Sequence, residues 1–132
     1  MFRALLVEDN ARFRQTTKDM LLARFSSLCV TEVESADEAM KEINRYCPDL
    51  VLMDIKLPGR NGLELTKEIK SRYPHVVVII LTNHDFQQYR DAAEESGADD
   101  FFVKGTTKAN KILESIDSLI RKDRAELGTK PK

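Results

Sequence analysis

Polar side chains follow directly after short apolar runs at four points in this sequence. The preceding runs cover residues 5–7, 50–53, 76–81 and 101–103. The polar residues that end them are Glu8, Asp9, Asp54, Thr82 and Lys104. Three carboxylates brought together repel one another unless a divalent cation neutralises them, whereas a hydroxyl and an ammonium suit an incoming anion. The set predicts a site for Mg²⁺ and a phosphoryl group.

The apolar runs have the composition of buried parallel strands. They are rich in Val, Ile and Leu and are separated by segments with helical spacing. Such runs form parallel sheets that are covered on both faces, and the carboxyl ends of those strands meet at one edge. With a weaker strand over residues 28–33, strand and helix alternate five times. The pattern predicts an α/β fold with a doubly wound parallel sheet.

Helical patterns separate the predicted strands. The first runs from Asn10 to about Phe25, with an inward face of Phe13, Met20, Leu21 and Phe25 and an outward face of Arg12, Arg14, Lys18 and Asp19. Ser35 and Glu38 form a capping box that opens the second helix, which closes before Pro48. A turn-rich loop over residues 56–62 leads into the third helix, which ends near Tyr73.

The last two helices are less evenly patterned. The fourth is predicted to run from about Asp85 to Gly97 and to bury Phe86, Tyr89 and Ala93. Because its apolar face is thin, the fourth helix is expected to be the most mobile of the five. Thr106 or Thr107 is expected to cap the fifth helix, whose inward residues are Ile112, Leu113, Ile116, Leu119 and Ile120.

Size and composition fit one domain. The chain has 132 residues, of which 42% are hydrophobic and 33% charged. We expect this domain over residues 1–121, followed by a charged tail or linker stub over 122–132.

Several classes of function are disfavoured. A net charge of -1 lacks the cationic surplus of direct nucleic-acid binding. The cysteines, Cys29 and Cys47, show neither zinc-ligand spacing nor a disulfide framework. The longest apolar run is far shorter than the ~20 residues that cross a bilayer, and no export signal is recognisable. A cytoplasmic protein without a membrane anchor is expected.

The motifs together resemble one family. Glu8-Asp9, the MDIKLPGRNG block around Asp54, the LTN turn at Thr82 and the GADDFFVK block ending at Lys104 resemble the receiver domain of two-component response regulators over residues 2–121. Phe13-Arg14, residues 57–59 and Lys104-Gly105 are most similar to receivers attached to LuxR-type helix-turn-helix outputs. This resemblance implies a flavodoxin-like sheet of five parallel strands in the order 2-1-3-4-5.

The resemblance also implies roles for the residues. Asp54 is the expected phosphoacceptor, with Thr82 and Lys104 contacting the phosphoryl group. Glu8, Asp9, Asp54 and the main-chain carbonyl of Lys56 are the expected Mg²⁺ ligands. Thr82 and Phe101 are the expected switch pair, which repacks the surface of the fourth helix, fifth strand and fifth helix. Lys56, Asn83 and His84 are expected to tune the phosphoryl lifetime.

Two positions depart from the family pattern. Asn83 stands where a small residue is common, and its amide could crowd the phosphoryl pocket. Gly105 replaces a frequent cis proline, and because a non-proline cis bond costs about 3 kcal/mol, a trans Lys104-Gly105 peptide or a locally altered turn is expected before the fifth helix. A phosphorylation-independent receiver-like binding module therefore stays an alternative.

Catalytic alternatives are weaker. A Mg²⁺-dependent phosphohydrolase would need a second acid two residues after Asp54, where this chain has Lys56. A nucleotide-binding domain would need a glycine-rich loop after the first strand. We therefore expect no enzyme beyond self-phosphorylation and self-dephosphorylation at Asp54. The implied partners are a sensor histidine kinase or phosphotransfer protein and a downstream protein or a missing DNA-binding output domain, with a homodimer possible.

Overall fold

Strands and helices alternate along the whole described part of the chain. A computed structural model describes residues 2–126, with side chains as far as residue 121. The strands are β1 (Arg3–Val7), β2 (Cys29–Val33), β3 (Leu50–Met53), β4 (Val77–Thr82) and β5 (Asp100–Val103). The helices are α1 (Ala11–Arg24), α2 (Ala36–Arg45), α3 (Gly62–Arg72), α4 (Gln87–Ser96) and α5 (Ala109–Glu126).

The sheet has the predicted topology. The five strands of the described residues are parallel and lie in the order β2-β1-β3-β4-β5. Val7 is in register with Val33 and Met53, and Thr82 is in register with Val103. Because these residues all lie at the carboxyl ends of their strands, the side chains that follow them share one edge of the sheet.

Alternate strand residues face two separate hydrophobic layers, as the period of two in a strand requires. On one face, Leu6, Leu52 and Ile79 pack with Leu21 of α1 and Ile116 of α5. On the other, the core includes Leu5, Val51, Val78, Ile43 of α2 and Ile69 of α3. A small third cluster joins Ile80 to Ala93, the one buried residue of α4.

Side-chain caps begin three of the helices. Asn10 accepts from the Phe13 amide, Ser35 from the Glu38 amide and Asn61 from the Leu63 amide. The N-cap of α4 is Phe86, which makes no side-chain cap bond and is 59% exposed, so the prediction that it is buried was wrong. Gly97 ends α4 in the left-handed conformation, as predicted.

Other details correct the expected pattern. The Thr106 hydroxyl donates to the Val103 carbonyl and the Thr107 hydroxyl accepts from the Val103 amide, so these residues anchor the loop rather than cap α5. Cys29 and Cys47, which as cysteines are most simply expected to be core or partly buried residues, are instead exposed. The fifth helix continues past residue 121 to Glu126, and residues 127–132 of the expected tail lie outside the described residues. The domain boundary at residue 121 therefore stays a prediction.

Candidate functional site

Three charged side chains meet at the carboxyl edge of the sheet. The Lys104 ammonium lies 2.6 Å from Glu8 Oε1 and 2.9 Å from Asp54 Oδ2. The side chains of Lys104, Glu8 and Asp54 are 8%, 8% and 11% exposed. The strand ends after β1, β3 and β5 therefore converge as the sequence predicted, although 96 residues separate Glu8 from Lys104.

Main-chain groups hold both carboxylates in place. The Asn10 amide donates to Glu8 Oε2 at 3.0 Å, and the Ile55 amide donates to Asp54 Oδ1 at 2.6 Å. One oxygen of each carboxylate is thus bound by an amide while the other faces the ammonium. These bonds fix the orientation of both groups, because hydrogen bonds to charged acceptors are stronger than neutral ones.

Burial and hydrogen bonding have opposite effects on the pKa values of Glu8 and Lys104. Burial, the largest influence, raises the pKa of Glu8 above its ordinary value, against hydrogen bonds from Lys104 and the Asn10 amide that lower it. Burial alone would lower the pKa of Lys104, but its hydrogen bonds to Glu8 and Asp54 raise it above its ordinary value. Lys104 therefore remains an ammonium at neutral pH, and it can face an anionic group.

The start of α3 lies directly against Asp54. The Gly62 amide donates to the Ile55 carbonyl at 2.6 Å, and the buried Thr66 hydroxyl donates to the Gly62 carbonyl at 2.8 Å. A Cβ atom at Gly62 would overlap the main-chain oxygen of Asp54 and would lie 3.1 Å from Ile55 Cα. Only glycine allows this approach. In the sequence, Gly62 is one of several turn formers in the loop over residues 56–62, and the available signal for its role is that it directly precedes a helical pattern.

Thr82 and its neighbours lie at the end of the adjacent strand. Thr82 is fully buried, and its Oγ1 accepts a hydrogen bond of 3.4 Å from the His84 amide. Asn83 is exposed, and the His84 ring packs on Tyr89 at a centroid distance of 5.3 Å. Phe101 is half-buried, with the Arg90 guanidinium 4.8 Å from its ring centroid. Thr82, Asn83 and His84 thus lie at and just after the end of β4, and Phe101 lies on the neighbouring strand β5, whereas Lys56 lies in the loop between β3 and α3.

Asp9 and Lys56 lie on the exposed rim of the site. Lys56 pairs with Asn61 in an isolated antiparallel bridge that closes the loop after Asp54. Within the described residues, no group of three or more His, Cys, Asp and Glu side chains is arranged to hold a metal ion. The metal-ligand set Glu8, Asp9, Asp54 and the Lys56 carbonyl therefore stays a prediction.

The first turn of α1 contributes contacts that the sequence analysis missed. The Lys104 ammonium lies 4.4 Å from the centroid of the Phe13 ring. Arg14 was predicted to point outward, but its side chain is only 13% exposed. Its guanidinium donates to the Glu8 carbonyl at 2.7 Å and to Glu32 Oε1 at 3.1 Å. The Phe13-Arg14 pair of the sequence resemblance was the available signal.

The turn after Lys104 has the expected peptide geometry. The described residues contain no cis peptide bond, so the prediction of a trans Lys104-Gly105 peptide is confirmed. Gly105 has φ +82°, and the Lys104 amide donates to the Thr82 carbonyl at 2.8 Å. Glycine adopts this φ without the steric penalty of other residues, which lets the chain turn sharply after Lys104.

The sequence is similar to known signalling proteins. It matches the response regulator receiver domain over residues 4–117. The chemotaxis protein CheY of Bacillus subtilis (strain 168) is 33% identical over 118 residues, which is 89% of this chain and 97% of that protein. The transcriptional regulatory protein DegU of Brevibacillus brevis is 30% identical over 112 residues, 85% of this chain and 47% of that protein. The chain thus spans about half the length of DegU.

Solved structures agree with this similarity. A CheY-like receiver domain protein from Methanospirillum hungatei JF-1 has a TM-score of 0.86 at 26% identity, covering 96% of this chain and 98% of that chain. A LuxR-family response regulator from Aurantimonas sp. SI85-9A1 has a TM-score of 0.82 at 27% identity, and the match covers 91% of this chain and 85% of that chain. Among the described helices, none has the length and apolar character to cross a membrane.

Proposed function

The chain belongs to the response regulator receiver family of two-component systems, and from that premise we propose that it accepts a phosphoryl group on Asp54 and thereby changes its affinity for a partner. The donor is a phosphohistidine on a sensor histidine kinase or a phosphotransfer protein. The observation that carries the proposal is the buried contact of Lys104 with Asp54 and Glu8, at 2.9 and 2.6 Å.

The transfer needs little covalent chemistry from the protein. A carboxylate oxygen of Asp54 attacks phosphorus, the bond between phosphorus and the histidine nitrogen breaks, and an acyl phosphate forms. Positioning and charge neutralisation supply most of the catalysis in such transfers. The Ile55 amide orients the Asp54 carboxylate, and the Lys104 ammonium faces the phosphoryl oxygens as their charge develops.

The donor set fits a divalent cation. Glu8 and Asp54 together exceed the charge of Lys104 by one negative unit, and Asp9 on the rim adds a second. Glu8, Asp9, Asp54 and the Lys56 carbonyl provide the oxygen ligands that Mg²⁺ prefers. Held by these ligands, Mg²⁺ would neutralise part of the negative charge of the carboxylates and of the phosphoryl group. Glu8 and Asp54 would exchange part of their contact with Lys104 for this ion.

The response is proposed to pass through Thr82 and Phe101. Thr82 moves its hydroxyl toward the phosphoryl group, and Phe101 turns toward the space that opens. Support comes from the weak 3.4 Å bond that holds the Thr82 hydroxyl and from the position of half-buried Phe101 between β5 and α4. Repacking there would change the surface of α4, β5 and α5. Lys56, Asn83 and His84 tune access of water to the acyl phosphate.

The partners follow from this chemistry. Many matched relatives are longer than this chain, as DegU shows, so the output is a further domain or a separate protein. A homodimer through α4 and α5 is a third route by which the changed surface could act. The proposed site of action is the cytoplasm, where histidine kinases present their phosphohistidine.

Intact-mass spectrometry tests the phosphoacceptor. The protein is incubated with Mg²⁺ and acetyl phosphate beside Asp54→Asn and the control Asp37→Asn, whose substitution lies on the exposed start of α2. We expect one phosphoryl adduct in the wild type and in Asp37→Asn, stable in acid and lost in mild alkali, and none in Asp54→Asn.

The opposite result is equally informative. An absence of adduct in the wild type, with no release of inorganic phosphate, would contradict the proposal and favour a phosphorylation-independent binding module. An adduct that persists in Asp54→Asn would place the phosphoryl group on another residue.

A further inference from the structure

The ring of Phe13 lies beneath the ammonium that the proposed reaction uses. The Lys104 nitrogen is 4.4 Å from the ring centroid, inside the roughly 6 Å range of cation–π attraction. We propose that Phe13 is a positioning residue, whose ring holds Lys104 over Asp54 during phosphoryl transfer. This inference rests on the proposed function, because it assigns Phe13 a role in the same reaction.

The Lys104 ammonium contacts two kinds of group, carboxylates and an aromatic ring. Glu8 and Asp54 accept two of its hydrogen bonds, and the Phe13 ring lies 4.4 Å away. With the side chain only 8% exposed, water contributes little to solvating this charge. A cation–π contact is worth more when the cation is desolvated than at an exposed site. The ring therefore acts where its attraction is strongest.

Hydrogen bonds fix the position of Phe13 relative to the acidic residues. The Asn10 amide donates to Glu8 Oε2 at 3.0 Å, and Asn10 Oδ1 accepts from the Phe13 amide at 2.9 Å. The Thr17 hydroxyl donates to the Phe13 carbonyl at 2.9 Å. The ring is consequently tied to Glu8 through the cap of α1, whereas Lys104 reaches it from the end of β5.

The proposed reaction explains why such a contact matters. A phosphoryl group on Asp54 would occupy one carboxylate partner of Lys104, and a divalent cation held by Glu8 and Asp54 would compete with Lys104 for both carboxylates. The ammonium must then turn from its carboxylate partners to a phosphoryl oxygen without swinging into solvent. The Phe13 ring offers an attraction that does not depend on either carboxylate, so it keeps the charge at the site throughout the step.

Phosphorylation kinetics test this role. Phe13→Leu keeps an apolar side chain but removes the aromatic face, whereas Phe13→Tyr retains it. With acetyl phosphate and Mg²⁺, we expect Phe13→Leu to take up phosphate about tenfold more slowly than the wild type, and Phe13→Tyr to stay within about twofold. Phe25→Leu is the matched control, because Phe25 lies at the other end of α1 and carries Arg24 at 4.9 Å from its ring. It should match the wild type.

A double-mutant cycle separates positioning from general damage to the fold. In a Lys104→Met background the ring has no cation to hold, so adding Phe13→Leu should cause no further loss of rate. An equal fold-loss in both backgrounds, or an unchanged rate in Phe13→Leu, would overturn the inference.

A spectroscopic readout keeps the inference separate from the proposed function. Side-chain NMR signals from the end of Lys104, identified by their absence in Lys104→Met, should carry an upfield ring-current shift that disappears in Phe13→Leu and persists in Phe25→Leu. If the wild type takes up no phosphoryl group, the proposed function fails and this shift still decides whether Phe13 holds Lys104. The same Lys104 shifts in wild type and Phe13→Leu would refute the contact.

Discussion

Two groups of residues at the carboxyl edge of the sheet, called here the lysine side and the threonine side, are held very differently. On the lysine side, formed by Glu8, Asp54 and Lys104, ion pairs of 2.6 and 2.9 Å join three buried strand ends. On the threonine side, formed by Thr82 and residues 83–96, the hydroxyl has one 3.4 Å bond and α4 starts without a side-chain cap. Buried charges require partners, whereas a hydroxyl tolerates a looser arrangement.

The contrast separates two tasks of the proposed function. The lysine side must hold reacting groups in a fixed geometry, since phosphoryl transfer depends on alignment. The threonine side must be able to move, and elements with few buried contacts are the ones that rearrange at low free energy. Ala93 is the one fully buried residue of α4, whereas α3 buries Leu65, Thr66 and Ile69 in addition to Gly62. We therefore expect a conformational response in α4 rather than α3.

Among the variants that test this contrast, Gly62→Ala is expected to change the free energy of unfolding most. Alanine in a helix usually stabilises relative to glycine, by up to about 1 kcal/mol. Here the added methyl group would overlap the Asp54 main-chain oxygen, so α3 and Asp54 must move apart. We expect the free energy of unfolding to fall by about 3 kcal/mol, as measured by urea denaturation.

A control on the same helix identifies the cause. Lys67→Ala replaces an exposed side chain in the middle of α3 and should change the free energy of unfolding by less than about 0.5 kcal/mol. If Gly62→Ala had the same free energy of unfolding as the wild type, the close approach of α3 to Asp54 would not be required for the stability of the lysine side.

The sequence predicted the strand ends better than the helix faces. Apolar runs of residues 50–53 and 77–81 are unmistakable because these strands are buried on both faces. Once the strands are parallel, the meeting of Asp54 with Lys104 follows from topology. The prediction needed no knowledge of side-chain packing, since residues that follow the strands of one parallel sheet share its carboxyl edge.

Contacts that depend on the neighbouring element were not predictable in this way. Arg14 looks solvent-facing because it is charged, but Glu32 on β2 lies within 3.1 Å of its guanidinium. Phe86 looks buried because it is apolar, yet it lies at the N-cap of α4 and remains 59% exposed. In both cases the type of side chain suggested one environment, and the position of the residue in the folded chain determined the real one.

A cap on α4 would sharpen the contrast by strengthening the threonine side. Phe86 already has the extended backbone of an N-cap, with φ -108° and ψ 144°. We expect Phe86→Ser to raise the free energy of unfolding by about 1 kcal/mol relative to Phe86→Ala, because both variants lose the ring and only serine can accept a helix amide. Hydrogen exchange of the α4 amides should slow in Phe86→Ser. Equal values for the two variants would show that the missing cap does not weaken α4.

The smallest expected change in the free energy of unfolding comes from two ion pairs, that of Glu32 near the lysine side and that of Asp85 on the threonine side. Glu32 is 27% exposed and contacts both Arg14 and Lys18 at 3.1 Å, whereas Asp85 is 59% exposed and contacts Arg90. The hydrogen bond from Lys18 lowers the pKa of Glu32 below its ordinary value of 4.5, against burial, and Arg14 adds to the lowering. At pH 7, Glu32→Gln should reduce the free energy of unfolding by about 0.5–1 kcal/mol, and Asp85→Asn by less than about 0.5 kcal/mol.

The stabilisation that Glu32 contributes should decrease as the pH falls. Because the pKa of Glu32 is lower in the folded protein than in the unfolded chain, the unfolded chain takes up a proton first on acidification. The stabilisation from Glu32 is therefore present above pH 4.5 and is lost as the pH falls through its folded-state pKa. Urea denaturation at pH 7 and pH 3 should show that Glu32→Gln lowers the free energy of unfolding less at pH 3 than at pH 7. In a Lys18→Met background, Glu32→Gln should have much less effect at pH 7. A gap that stays constant with pH would mean that Glu32 stabilises α1 by packing rather than by its charge, and that the lysine side owes its rigidity to the buried ion pairs alone.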